Sequence, residues 1–227
     1  MRDCLLFFVR YPEPGRVKTR LIGPASPALV ADFYAALVGD ALFRLSGAIG
    51  ADLFVCFTPA GREEAARRWL GPEQRLLAQR GQGLGERMAN AFRDAFALGY
   101  DRAVLTGSDI PGLTPGVVRR GLDALTPGRA ALGPAEDGGY YLAGFHRDGF
   151  VPALFDEAEW GGSGVFARAL ERLTGAGMET AELDRLADLD TVDGLRALLD
   201  SPDCPLAGRA LALGRQVAGR RPERGNR

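Results

Sequence analysis

AVLTGSDIPGLT, residues 103–114, packs a strand, a break and a helix start into one short stretch. Ala103-Val-Leu-Thr106 is apolar and partly β-branched, the pattern of a short buried strand. Pro111-Gly112 breaks it, and Thr114-Pro115 supplies an N-cap and a first-turn proline for the next helix. The strand's carboxyl end therefore carries Asp109, at the edge where open α/β sheets bind ligands. A carboxylate there, with no Lys or Arg beside it in sequence, suits a divalent cation held against phosphate oxygens. The alternative is an Asp that caps its own turn.

The remaining segments alternate in the same way. Cys4–Val9, CLLFFV, is apolar throughout, as a strand covered on both faces should be. The loop after it, Arg10 to Leu21, opens with two prolines and a glycine and then gathers Arg16, Lys18 and Arg20. Exposed amides beside positive charge make a phosphate cradle, although the loop is neither a Walker A sequence nor a GxGxxG; it could also be a basic surface loop. Lys18 is the single lysine among 28 basic residues, and a compact ammonium is chemically distinct from a guanidinium fork.

Ser26-Pro27 opens a helix, and Ala51–Phe57 reads as the second strand. Gly61–Leu70 and Glu86–Leu98 are amphipathic helices, the latter fed by the glycine-dense Gly81-Gln-Gly-Leu-Gly85. Three glycines in five residues point to a backbone that something approaches closely, or to a plain flexible connection. Ala130–Leu132 is a further strand, ending in Glu136-Asp137-Gly138-Gly139 before the aromatic run from Tyr140. This is a hairpin signal, or a turn whose glycines admit a substrate while Asp137 or Glu136 faces it. Val165–Leu173 reads as a helix and Met178–Leu183 as a late strand. In Asp188-Leu-Asp-Thr-Val-Asp193, Thr191 caps the helix Val192–Leu199 and Asp193 suits its dipole. Asp188 and Asp190 lack such an explanation and are candidate second carboxylates for a metal. A last helix spans about Leu206–Val217. The tail 219–227, rich in Arg, Gly and Pro, reads as disordered.

Bulk properties bound the function. The chain has 227 residues with net charge −1, 46% hydrophobic and 25% charged, so one α/β domain over 1–218 with a full core is expected. Nothing in the charge points to nucleic acid or an anionic membrane. No apolar run is long enough to span a membrane, and Cys4–Val9 is too short for a signal peptide. Cys4, Cys56 and Cys204 are odd in number and widely spaced, so they read as reduced thiols and the expected address is the cytoplasm. His146 is the only histidine, which leaves little room for Ser-His-Asp or His-metal chemistry.

The segments Tyr11-Pro-Glu-Pro-Gly-Arg-Val-Lys-Thr-Arg-Leu21, Leu84-Gly-Glu-Arg-Met88, Gly107-Ser-Asp-Ile-Pro-Gly-Leu113, Gly133-Pro-Ala-Glu-Asp-Gly-Gly-Tyr-Tyr-Leu142 and Asp188-Leu-Asp-Thr191 together resemble a known family. It is the GT-A-like transferases of domain-of-unknown-function 2064, which include radical-SAM/selenodomain-associated glycosyltransferases. They are relatives of the molybdenum-cofactor and phospholactate nucleotidyltransferases. The resemblance covers about residues 4–200. It implies a Rossmann-like GT-A (nucleotide-diphospho-sugar transferase) fold with a mostly parallel central sheet flanked by helices. It implies a nucleotide site with Pro14, Gly15, Lys18 and Arg20 near phosphates and Gly83 and Gly85 on the second loop. It gives Asp109 the metal-binding part of an Asp-x-Asp-like motif, with Asp188 and Asp190 as further metal candidates for Mg²⁺ or Mn²⁺.

Asp137, then Glu136, are the candidates for catalytic base, and Gly138, Gly139, Tyr140 and Trp160 for substrate contact. Trp160-Gly-Gly-Ser163 is similar, more weakly, to the glycine-serine loop of the phospholactate enzymes. Position 107 is Gly, so only one carboxylate of a strict Asp-x-Asp pair is present. The expected activity is metal-dependent glycosyl transfer from a nucleotide-diphospho-sugar to a small-molecule acceptor. Two alternatives remain. One is nucleotidyl transfer from an NTP to a phosphorylated small molecule, releasing pyrophosphate; the other is a non-catalytic nucleotide-binding protein. Fold does not choose among them.

Overall fold

The computed structural model describes residues 1–47, 49–156, 160 and 164–219. The described residues form two compact units, one within 1–11 and 41–188 and the other within 12–40 and 189–219.

In the first unit, the described strands form one seven-stranded sheet in the order β3-β2-β1-β4-β6-β5-β7. They are β1 (Asp3–Arg10), β2 (Asp52–Thr58), β3 (Arg75–Ala78), β4 (Arg102–Gly107), β5 (Arg129–Pro134), β6 (Tyr140–His146) and β7 (Glu179–Glu182). β1 pairs in parallel with β2 and β4, β2 with β3, and β5 with β7. Only β6 runs the other way, antiparallel to both β4 and β5. The predicted mostly parallel sheet is thus present, and the Asp137-Gly-Gly signal does make the β5–β6 hairpin.

Helices cover the sheet as period-2 burial demands. On β4, Ala103 and Leu105 face a cluster with Leu6, Phe8 and Phe145 that also takes Met88, Ala91, Phe92 and Ala95 of α3 (Leu84–Ala97). Val104 faces the other way, beside Gly121 of α4 (Pro115–Asp123). The Thr114 hydroxyl caps α4 by accepting from the Val117 amide, and Pro115 is in the first turn, as read from sequence. α5 (Val165–Gly175) adds Ala169 and Leu173 to the first cluster. The Gly61–Leu70 helix is α2 (Glu63–Leu70) preceded by a 3-10 turn.

The opposite, amino edge of the sheet is tied by ion pairs. Asp3 accepts two hydrogen bonds from Arg102, at 2.8 and 2.7 Å, and one from Arg119 at 2.8 Å. The Tyr100 hydroxyl donates to Asp52 at 2.5 Å, and Arg75 pairs with the same carboxylate.

The second unit holds most of α1 (Pro27–Leu45), with α6 (Val192–Asp200) and α7 (Gly208–Ala218). Its own core joins Leu21, Val30, Phe33 and Leu37 to Leu189, Leu195, Leu206 and Val217. Gly214 lets α7 approach Phe33: a Cβ there would lie 3.2 Å from the ring. Thr191 caps α6 by accepting from the Gly194 amide, as expected.

Candidate functional site

β4 ends at Gly107, and Asp109 follows it, half-buried, on a loop pinned by the buried Ile110 and Leu113. The structure gives the glycine at 107 a physical reason. A Cβ on Gly107 would lie 2.6 Å from Asp109 Oδ1, so the Asp109 carboxylate turns back over the space a first acidic side chain would take. We expect Gly107→Asp to displace Asp109 instead of rebuilding a pair. Because the only group met is the far end of the Asp109 side chain, it should cost no more than about 1 kcal/mol of stability, and Mn²⁺ titration should show no tighter binding than wild type.

The β5–β6 turn is held by its own groups. Ala135 donates to the Gly139 carbonyl at 2.9 Å, and Asp137 Oδ1 accepts from the Gly139 amide at 2.8 Å. Gly138 adopts φ +90°, which a side chain would resist, and its carbonyl accepts from Phe166 in the first turn of α5 at 3.0 Å. Glu136 and Asp137 are exposed.

Past β7 the chain continues alongside β5. Leu183 donates to Leu132, Leu186 to Pro134, and Glu136 to the Leu186 carbonyl. Arg185 Nη1 donates to Ala135 at 2.8 Å, and Leu186 lies 3.6 Å from where a Gly112 Cβ would be. Within the first unit, then, one edge gathers the loop of Asp109, the Glu136–Gly139 turn and the segment that leads to Asp188. None of that proximity is visible in sequence spacing.

The second glycine loop opens α3. Gly85 is the tightest point: a Cβ would sit 2.0 Å from the Phe155 carbonyl oxygen and 3.1 Å from the Trp160 ring. The close approach read from this glycine is therefore to the protein's own backbone. Gly83, the N-cap, has nothing within 4 Å of its would-be Cβ. Trp160 stands edge-on to Tyr140 with centroids 6.1 Å apart, so Gly85, Trp160 and Tyr140 meet. Gly161–Ser163 of the glycine-serine loop, and the tail beyond Gly219, lie outside the described residues.

A residue with no assigned role in the sequence reading is Gln79. It is buried, and its Nε2 donates to the carbonyls of Val9 at 3.2 Å and Cys56 at 2.7 Å, joining the carboxyl ends of β1 and β2. A Gln opening a glycine loop was the only signal available. His146 lies opposite Arg102, at the start of β4, and so at the far end of the sheet from Asp109. Its Nδ1 accepts from the Asp148 amide at 3.2 Å.

The remaining candidates belong to the second unit. Glu13-Pro14-Gly15-Arg16 is a turn closed by Arg16 donating to Glu13 at 2.9 Å, with Gly15 at φ +76°. Proline followed by a positive-φ glycine is the type II pattern. Lys18 Nζ donates to Asp190 Oδ1 at 2.7 Å, and Arg20 Nη1 reaches Asp190 Oδ2 at 3.4 Å. Among the described residues, no three His, Cys, Asp or Glu side chains cluster so as to hold a metal ion by themselves. No described helix is long and apolar enough to cross a membrane.

This architecture is the nucleotide-diphospho-sugar transferase fold. Residues 41–162 match the family described as "Uncharacterized protein conserved in bacteria (DUF2064)", and the chain belongs to that family. A crystal structure from Desulfovibrio desulfuricans G20, provisionally assigned as a nucleotide-diphospho-sugar transferase, is 42% identical over 94% of each chain with a TM-score of 0.87. A cytidylyltransferase from Leptospira borgpetersenii shares the fold at 14% identity, with 94% of this chain and 92% of that one covered and a TM-score of 0.57. A nucleotidyl transferase from Methanothermobacter does so at 12% identity, 86% and 90% coverage and a TM-score of 0.52. No curated protein matches the chain.

Proposed function

We propose that this protein is a metal-dependent transferase for a nucleotide-activated donor, and specifically a glycosyltransferase that moves a sugar from a nucleotide diphosphate to a small-molecule acceptor. The observation that carries the reading is the Asp109 carboxylate, folded back over Gly107 at the carboxyl end of β4. The provisional assignment of the 42%-identical Desulfovibrio protein supports the donor class.

Asp109 and Asp188 offer hard carboxylate oxygens, which suit Mg²⁺ or Mn²⁺. Magnesium is commonly bound through one or two carboxylates with substrate phosphates completing the shell. When bound, the cation supplies charge neutralisation at the diphosphate. In the first unit the Gly83 amide at the start of α3 offers a donor to phosphates; in the second unit Lys18, Arg20 and the amides around Pro14 and Gly15 form a phosphate cradle of their own. The acceptor hydroxyl attacks the anomeric carbon and the C1–O bond breaks. Its electron pair leaves with the nucleoside diphosphate, and the acceptor proton passes to Asp137 Oδ2, with Glu136 as the nearby second carboxylate. Asp137 Oδ1 meanwhile accepts from the Gly139 amide, which fixes the carboxylate's direction. Gly138, Gly139, Tyr140 and Trp160 border the acceptor.

The test is a thermal-shift panel of NDP-sugars, their NDPs and NTPs, each with and without Mg²⁺ or Mn²⁺. A ligand bound only by the native state adds about 2.7 kcal/mol of stability at a hundredfold excess over Kd, and so raises the melting temperature. One NDP-sugar and its NDP should stabilise the protein in a metal-dependent way, and Asp109→Ala should remove that shift. Stabilisation by a triphosphate alone would move the assignment to nucleotidyl transfer. Metal-indifferent binding, unchanged in Asp109→Ala, would point to a non-catalytic nucleotide-binding protein.

A further inference from the structure

We propose that Asp190 is a positioning residue for a polyphosphate-binding Lys18, and not a metal ligand; this rests on the transferase reading above and refines one of its sites. Both oxygens of Asp190 are engaged by cations, Oδ1 by Lys18 at 2.7 Å and Oδ2 by Arg20 at 3.4 Å. With a cation on each of its two oxygens, Asp190 presents no oxygen free of a positive neighbour, which disfavours Mg²⁺ or Mn²⁺ there. A divalent ion on Asp190 would also lie within a few ångströms of an ammonium.

The pair stands on a rigid base at both ends. Lys18 leads directly into the 3-10 turn Thr19–Leu21, and Asp190 lies between Leu189 and the α6 cap Thr191. Leu21 and Leu189 are buried in the same core cluster, so the two partners are anchored by one patch of apolar packing despite a separation of 172 residues.

Lys18 is also conformationally committed. Its side chain is only 8% exposed, and it is the one non-glycine among the described residues with positive φ, at φ 44° and ψ 45°. A left-handed backbone at a residue with a side chain costs free energy and persists where the surroundings over-determine it. A lysine held in this way presents its ammonium in one place. Asp190 supplies a counter-charge to the buried ammonium at 2.7 Å.

The experiment is calorimetric titration of the full chain with inorganic pyrophosphate, a probe shared by glycosyl and nucleotidyl donors, and in parallel with Mn²⁺ alone. Wild type is compared with Asp190→Asn, Lys18→Met and the double variant. Asp190→Asn should weaken pyrophosphate at least tenfold although it makes the site more positive, and Mn²⁺ binding should not change. The double variant should bind no more weakly than Lys18→Met, because Asp190 acts only through the lysine. That last comparison stands even if Asp190→Asn alone folds poorly. Equal or tighter pyrophosphate binding in Asp190→Asn, an additive loss in the double variant, or loss of Mn²⁺ binding overturns the positioning role. With wild-type pyrophosphate binding intact, these outcomes leave the transferase reading in place; a wild-type chain that takes no pyrophosphate overturns both.

Discussion

Asp3→Ala is expected to destabilise the first unit by about 3 kcal/mol, the lower end for breaking a buried ion pair, because Asp123 still faces both Arg102 and Arg119. The Asp3 side chain is 8% exposed and that of Arg102 13%, and their contact is two-pronged, with Arg119 adding a third hydrogen bond. Removing the carboxylate leaves Asp123 to face both guanidiniums, Arg119 at 2.8 Å and Arg102 only at 3.9 Å. By contrast, the exposed pair Arg68–Glu64 on α2 should contribute well under 1 kcal/mol. The same cluster sets an acid limit. Burial opposes ionisation of Asp3, but the hydrogen bonds from Arg102 and Arg119, with their charges, outweigh it and hold its carboxyl below the usual value. A folded-state pKa depressed in this way contributes stability that is complete above the unfolded value of about 3.9 and is lost as pH falls through the folded one. Urea unfolding at pH 7 should therefore separate wild type from Asp3→Ala widely, and the gap should narrow once the pH drops below about 4. A gap that is constant with pH would show that Asp3 matters through packing and not charge.

Gly85→Ala should cost about 3 kcal/mol, the upper end for overpacking. Alanine ordinarily favours a helix over glycine by roughly 1 kcal/mol, so the sign is set by space and not by propensity. The new methyl would meet the Phe155 carbonyl oxygen at 2.0 Å, and Phe155 cannot retreat because it is buried and stacked on Phe92 at 5.7 Å. The Trp160 ring closes the other side at 3.1 Å. The melting temperature should fall and the tryptophan emission should shift as Trp160 leaves Tyr140. Gly83→Ala, two residues earlier and with open space around the methyl, is the control and should melt within a degree or two of wild type.

These two positions show which physics reached the sequence. Strand and helix patterns are local, so Cys4–Val9 and Ala103–Thr106 were legible as buried strands, and the caps Thr114 and Thr191 announced α4 and α6. β3 was not legible. Arg75–Ala78 is four residues long and without a β-branched side chain, and only its parallel pairing with β2 makes it a strand. The glycine of Gly85 was visible as a demand for close approach, but what approaches comes from Phe155 and Trp160, some 70 residues away along the chain.

The carboxylates divide in the same manner. That Asp109 follows a central strand, with a breaker and a helix cap behind it, is a property of consecutive residues, and the sequence by itself determined it. Equally local is the lone lysine in the loop after β1. Which acid stands beside which base is not local. Asp190 looked like Asp188 in sequence, two unexplained carboxylates before a helix cap; the fold brings Lys18 and Arg20 to Asp190 across 172 and 170 residues. Asp3 carried no signal at all until Arg102 and Arg119 closed on it. Periodicity and turn chemistry are written in neighbours, whereas charge pairing and packing clearance depend on distances that exist only once the chain has folded.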